Sequence, residues 1–243
     1  MPRLGGLMVR AVMLGVLASP LTVLTPAGAA TRSYIVTDFD TLRLEAPIEL
    51  TVTTGRGVSA RGEGGTDLLE RLDLSVNART LTIRIKPALF EARRDQGTGP
   101  VRLALTVPAL RRLQLSGAGS VRATGLDRRA AEVLVSGSGS ASVSGIDADT
   151  LSVLQTGSGS VQLSGQARSL LVRATGSGAI DAKGLTTRDL DVTLEGAGSL
   201  ETTAERSAKV VANGPGTVTI AGKGACTVRH AGSGAVRCGG EMF

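Results

Sequence analysis

The chain has 243 residues, of which 42% are hydrophobic but only 2% aromatic, with no Trp, one Tyr and three Phe. This composition excludes a core built on large rings, and the spacing of its 33 Gly excludes a structureless low-complexity chain. The formal charge of +6 is not interleaved with aromatic residues, which argues against recognition of nucleic acid by base stacking.

In chain order, Arg3 and Arg10 precede a mainly apolar run at 11–24, and Ala27-Gly28-Ala29 supplies small residues for cleavage. This pattern predicts a secretory signal peptide over 1–29, cut after Ala29 or Ala30. The apolar run is short for a membrane span, and no later stretch is longer, so no integral membrane segment is expected in the mature chain. No Cys lies near the cut, which argues against lipid attachment. Loss of the two arginines leaves a formal charge of +4, enough for weak attraction to anionic surfaces.

Residues 31–110 predict irregular N-terminal coils and a cap. Ile48, Leu50 and Val52 alternate with polar residues before a turn at Gly55-Arg56-Gly57, as in a diverged first coil. Residues 66–72 can form a helical turn. Leu81, Ile83 and Ile85 alternate again, 87–100 is a charged exposed loop, and Val101, Leu103, Leu105 and Val107 form a further strand.

From 111 to 240 one phrase recurs. The glycine pairs are Gly117/Gly119, Gly137/Gly139, Gly157/Gly159, Gly176/Gly178, Gly196/Gly198, Gly214/Gly216 and Gly232/Gly234, spaced 18 to 20 residues apart. Four residues before the first Gly of each pair stand Leu113, Val133, Val153, Val172, Val192, Val210 and Val228. Four residues after it stand Val121, Ala141, Val161, Ile180, Leu200, Val218 and Val236. Mostly apolar residues also occupy the positions six before and six after, and the odd positions are mixed and often polar. Strand geometry sends alternate side chains to opposite faces, so the even positions line an interior.

Columns that recur every coil predict an all-β, single-domain, right-handed parallel β-helix with coils of about 20 residues. Each coil is expected to hold two strands, a Gly-x-Gly corner and a short return, continuous with 31–110. Both glycines of each pair are read as turn residues, where glycine permits positive φ or close approach between coils. Ser116, Ser136, Thr156 and Thr175 before the pairs, and Ser120, Ser140, Ser160 and Ser199 after them, are expected to form hydroxyl ladders.

The only two cysteines, Cys226 and Cys238, fall in the last coil and form a candidate disulfide. Facing sheets lie about 10 Å apart, wider than a disulfide tolerates, so a bridge requires the coil to narrow there. His230, the sole histidine, stands two before Gly232 and reads as a turn residue. Cys226 and His230 are about 13 Å apart along a strand, too far to share one zinc. The Gly-x-Gly phrases lack the third glycine and the helix of a dinucleotide loop. Asp147 and Asp149 share one return and read as solvated charges rather than a catalytic carboxylate pair. No catalytic, cofactor or metal residues are assigned.

The phrases SGAGSV, SGSGSA, TGSGSV, TGSGAI, EGAGSL, NGPGTV and AGSGAV follow a leader with FDTLRLEAPIELTV and DLLERLDLSVNARTLTIRIKP. That order resembles the bacterial putative auto-transporter adhesin, head GIN domain family over roughly residues 36–238. The resemblance implies an exported right-handed β-helix and carries no catalytic residues. After the last repeat there is no barrel translocator, so surface display is expected to need another protein.

The resulting expectation is an exported, periplasmic or cell-surface, non-enzymatic adhesin-like protein. It binds an anionic glycan or an envelope protein through its side faces, with Arg122, Arg173, Lys183, Arg229 and Arg237 as the candidate binding face. A structural scaffold of the envelope is the alternative, and a polysaccharide-active enzyme ranks below both.

Overall fold

The computed structural model describes residues 30–55, 57–87 and 100–243. The expected signal peptide at 1–29, Arg56 and most of the expected charged loop, residues 88–99, lie outside the described residues. The chain opens with β1 (Ala30–Tyr34), β2 (Thr41–Leu44), β3 (Glu49–Thr54) and β4 (Ser59–Gly64), then a one-turn helix α1 (Thr66–Arg71). Asp67 and Arg71 pair across that turn at 3.6 Å, and Leu69 anchors it in the core. Next come β5 (Leu72–Asn77), β6 (Thr80–Ile85), β7 (Arg102–Val107), β8 (Arg112–Gly117), β9 (Ser120–Thr124) and β10 (Ala130–Gly137). The four longest strands are β11 (Ser140–Gly157), β12 (Ser160–Gly176), β13 (Ala179–Gly196) and β14 (Ser199–Asn213). The chain closes with β15 (Thr217–Ala221), β16 (Ala225–Ala231), β17 (Ala235–Cys238) and β18 (Glu241–Met242).

The strands stack as a parallel β-solenoid of about six turns with coils of roughly 20 residues. Register follows the repeat: Leu113 lies beside Val133, then Val153, Val172, Val192, Val210 and Val228. From Leu113 to Val210 this column is at most 1% exposed, because each valine or leucine is covered by its equivalents one coil up and one coil down. Small aliphatics suffice here, since the interior is filled by stacking and not by reach.

Three features go beyond the sequence pattern. A further inward column lies two residues before each pair: Leu115, Val135, Gln155, Ala174, Leu194 and Ala212, all buried. Its mixed chemistry hid it. Second, the return segment is a third paired face, not a short connection. Ala148, Ala167, Thr187 and Ala204 stack in register and are buried, as are Ile146 and Leu185. Coils of unequal length are reconciled by register shifts at Val143/Ile146, Gln162/Ser164 and Ala182/Thr186.

Third, the first coil in sequence is not the first in space. β2 lies between β6 and β8, and β3 lies between β7 and β9, all parallel. The chain leaves β3 into β4, which pairs antiparallel with β7, and reaches β6 through β5, its antiparallel partner. The antiparallel strands carry the chain over the open end, so its second coil lands outside its first.

The two glycines of each pair do different things. The first has positive φ, from +98° at Gly117 to +128° at Gly232, and makes the turn. A Cβ on Gly157 would also lie 2.6 Å from the Gly137 carbonyl oxygen. The second glycine, Gly119, Gly139, Gly159, Gly178, Gly198, Gly216 or Gly234, has no positive φ, so of the two roles expected at the corner it takes the close approach between coils and not the left-handed turn. It is a contact residue, buried in every pair except the last, where Gly234 is half-buried. A Cβ would meet the carbonyl oxygen of the equivalent glycine one coil earlier: 2.5 Å from Gly139 for Gly159, 2.5 Å from Gly159 for Gly178, 2.8 Å from Gly178 for Gly198 and 2.6 Å from Gly198 for Gly216. Gly234 approaches the Gly216 oxygen in the same way. Glycine is therefore required at this place by space and not by backbone conformation, a distinction that residue type alone does not carry.

The expected hydroxyl ladders are replaced by backbone bonds. Gly139 N–H donates to Gly117 O at 2.8 Å, Gly159 N–H to Gly137 O at 2.9 Å, and Ser140 N–H to Gly119 O at 3.0 Å. With no side chain between coils, the main chains come close enough to bond directly, which leaves the hydroxyls free to face water.

One core position is chemically out of place. Thr202 is 1% exposed between Ala182 and Ile220, and its hydroxyl has no hydrogen-bond partner. Thr202→Val keeps the shape and removes the unpaired group. The variant is expected to be more stable by about 1–2 kcal/mol in denaturant unfolding. An unchanged or lower midpoint would show that the hydroxyl is already satisfied.

Candidate binding faces

Three flat faces run along the solenoid, each one side chain wide per coil position. The first face, between the return and the glycine corner, presents Leu134, Leu154 and Leu171 outward among Ser, Thr and charged residues. Leu154, at 38% exposure, is the most open large aliphatic of the repeats. The second face, after the corner, is rich in hydroxyls and amides: Ser140, Ser142, Ser160 and Gln162 stack in register.

The five basic residues read as one binding face are not brought together. Arg122 and Arg237 stand at equivalent places on the second face but at opposite ends of the regular coils. Arg173 and Arg229 stand on the first face, with Thr193 and Val211 between them. Lys183 follows the second face and holds Glu201 at 2.6 Å. Odd offsets share an outward direction, but the corner separates those before the glycines from those after. A linear count therefore merges two planes.

Cys226 and Cys238 form a disulfide with Cα atoms 6.4 Å apart. The two strands of the last coil converge there, well inside the spacing of stacked sheets. His230 is not a turn residue: it lies on β16 beside Ala212, with its Nε2 buried and unpartnered.

The third face holds a groove of about 450 Å³. Its walls are Arg128, Asp147, Asp149, Gln166, Arg168, Thr186, Arg188 and Glu205, above the buried Ala148, Ala167 and Thr187. Stacking places one polar pair of each coil above the next, at about 4.8 Å per coil. Arg128 donates from Nε to Asp147 Oδ2 at 3.0 Å, and Arg168 reaches Asp149 at 3.3 Å. Both carboxylates are thus engaged by arginines. Three cationic and three anionic groups line the groove, so its formal charge is zero. The sequence contained these residues but scattered them over five coils. Only stacking of the return segment builds the groove, and pairing of that segment was not visible in its irregular spacing.

Beside the groove Asp189 accepts hydrogen bonds from Arg206 Nε at 2.8 Å and Ser207 Oγ at 2.6 Å. The Arg206 hydrogen bond, then that of Ser207, holds this carboxyl below the usual range despite some opposing desolvation. A depressed folded-state carboxyl stabilises the fold above the unfolded range and loses that contribution as pH falls through its folded value. Asp189→Asn is therefore expected to lower stability near neutral pH, with the difference from the parent vanishing in acid. A difference that persists unchanged into acid would show that the aspartate acts through packing and not through charge. The site is exposed, so salt should shrink the effect.

Among the described residues no helix is long and apolar enough to cross a membrane, and no cluster of His, Cys, Asp and Glu is arranged to hold a metal ion. The family model described as putative auto-transporter adhesin, head GIN domain, matches residues 38–224. No curated protein matches the chain. Among solved structures, a putative adhesin from Bacteroides fragilis superposes with a TM-score of 0.79 at 20% identity, over 88% of this chain and 98% of its own. A putative lipid binding protein from Parabacteroides distasonis gives 0.64 at 18% identity, over 87% and 97%. A putative adhesin from the same organism gives 0.63 at 20% identity, over 86% and 96%. At these identities the likeness shows a shared fold.

Proposed function

The chain belongs to the putative auto-transporter adhesin, head GIN domain family, and from that membership we propose that it is an exported, non-enzymatic binding protein that holds a hydroxyl-rich glycan of the envelope or the extracellular space in its third-face groove. The observation that carries this reading is the groove's chemistry. Guanidinium, carboxylate, amide and hydroxyl groups succeed one another at coil spacing over small buried residues. Carboxylates accept from sugar hydroxyls and guanidinium groups donate to them, so such a lining matches a chain of hydroxyls without needing an apolar pocket. The ion pairs Arg128–Asp147 and Arg168–Asp149 hold the side chains in place before a ligand arrives. That lowers the ordering entropy lost on binding.

Zero formal charge in the groove favours a neutral glycan and predicts weak salt dependence. The scattered basic residues on the other faces would give diffuse attraction to an anionic polymer, which salt suppresses. The test is a glycan array followed by calorimetric titration of the best binder with the purified protein. Arg188→Ala and Gln166→Ala lie on exposed coil positions and are expected to weaken binding at least about tenfold without moving the unfolding midpoint. Absence of saturable binding to any glycan would remove this reading and favour an envelope scaffold instead. Cleavage of a glycan that depends on Asp147 or Asp149 would assign an enzyme.

A further inference from the structure

The two ends of the solenoid are finished differently. At one end β4 pairs antiparallel with β7, β1 with β4, and β5 with β6. At the other, β18 pairs antiparallel with β17 and covers that strand alone. β16 pairs with β14, and its opposite edge meets no strand among the described residues. Its inward side chains are left half-covered: Cys226, Val228 and His230 are partly exposed, whereas Ala208, Val210 and Ala212 one coil earlier are buried. Met242 and Phe243, 66% and 48% exposed, lie at this same end.

An open edge of this kind is normally protected by proline, a bulge or an inward charge. β16 has none of these; its sequence is Ala-Cys-Thr-Val-Arg-His-Ala, with Arg229 as the only charge. We propose that this end is an interface with a second copy of the chain, formed by antiparallel pairing of the two β16 strands about a two-fold axis at Val228. The pattern of the strand chooses a copy of itself as the partner. Around Val228 its residues are symmetric in character: Thr227 falls opposite Arg229, Cys226 opposite His230, and Ala225 opposite Ala231. Inward residues meet inward residues, so the core runs on across the junction, and no like charges face each other. A two-fold contact makes every such pair twice. It also closes the free backbone hydrogen-bonding groups and gives Met242 and Phe243 a place away from water. The third-face groove stays open in this arrangement.

Sedimentation velocity of the purified protein over a concentration series should show a monomer–dimer equilibrium. The register makes a signed demand on Thr227, an outward, exposed position. Thr227→Lys sets a lysine against Arg229 of the copy and is expected to weaken association by at least about tenfold. Thr227→Glu sets a carboxylate there and is expected to strengthen it. Both variants should keep the parent circular dichroism spectrum and disulfide. Amides of β16 should exchange slowly in the dimer and rapidly on dilution. A protein that stays monomeric at all concentrations overturns the proposal, and so does a dimer in which the two substitutions act alike.

Discussion

Gly157→Ala is expected to destabilise the protein by about 4 kcal/mol or more, and it is predicted to lose its cooperative fold. Two independent penalties meet at this residue. Its φ of +109° is a conformation that L side chains rarely adopt, which costs about 1–2 kcal/mol. Its Cβ would also lie 2.6 Å from the Gly137 carbonyl oxygen, an atom fixed in the corner's hydrogen bonds. Relief would require opening the stack, which breaks the Gly159–Gly137 and Ser158–Gly137 bonds together. Two companions separate the causes. Gly117 has a φ of +98°, but a Cβ there would have nothing within 4 Å, so Gly117→Ala should lose only the conformational part. Gly159 has no positive φ but meets the Gly139 oxygen at 2.5 Å, so Gly159→Ala isolates the approach. Equal unfolding midpoints for Gly117→Ala and Gly157→Ala would refute the view that inter-coil contact dominates.

Removing the disulfide with Cys226→Ala and Cys238→Ala is expected to lower stability by about 2–3 kcal/mol, with the damage confined to the last coils. The bridge closes a loop with a sequence separation of 12, and a loop of that size restricts the unfolded chain by about 3 kcal/mol. Its location governs how the loss spreads. In a solenoid each coil touches only its neighbours, so β16 to β18 can fray while the interior coils stay paired. Amide exchange should accelerate over 217–243 and remain unchanged near Val153 and Val172. Uniform acceleration along the whole chain would mean that the solenoid unfolds as one unit, and an unaffected last coil would mean that the bridge adds nothing to its stability.

Much of the fold was legible because a solenoid repeats its physics. Val133, Val153 and Val172 each solve the same packing problem, so a local pattern read several times over reveals a non-local contact. The glycine corner was legible for the same reason, although the division of labour between Gly176 and Gly178 was not: both are glycine, and only the stack shows which one turns and which one yields space. Legibility failed where the repeat is carried by geometry and not by residue type. Gln155 and His230 sit on the column of Leu115 and Leu194, yet no hydropathy pattern unites the four. The return segments vary in length, and register shifts hide their pairing. Arg122 and Arg173 share an odd offset and an exposed position, but the corner between them sends them to different planes.

The amino-acid sequence by itself determined the coil, the inward columns and the corner, because alternation and the 18–20-residue spacing act through each residue's nearest neighbours. Only the tertiary structure decided three things. It placed the first coil second in the stack, because antiparallel strands carry the chain over the end. It assembled the neutral groove from residues of several coils. It brought Cys226 within bonding reach of Cys238 by narrowing the last coil. Each depends on how distant segments lie against one another, a distance that no spacing along the chain encodes.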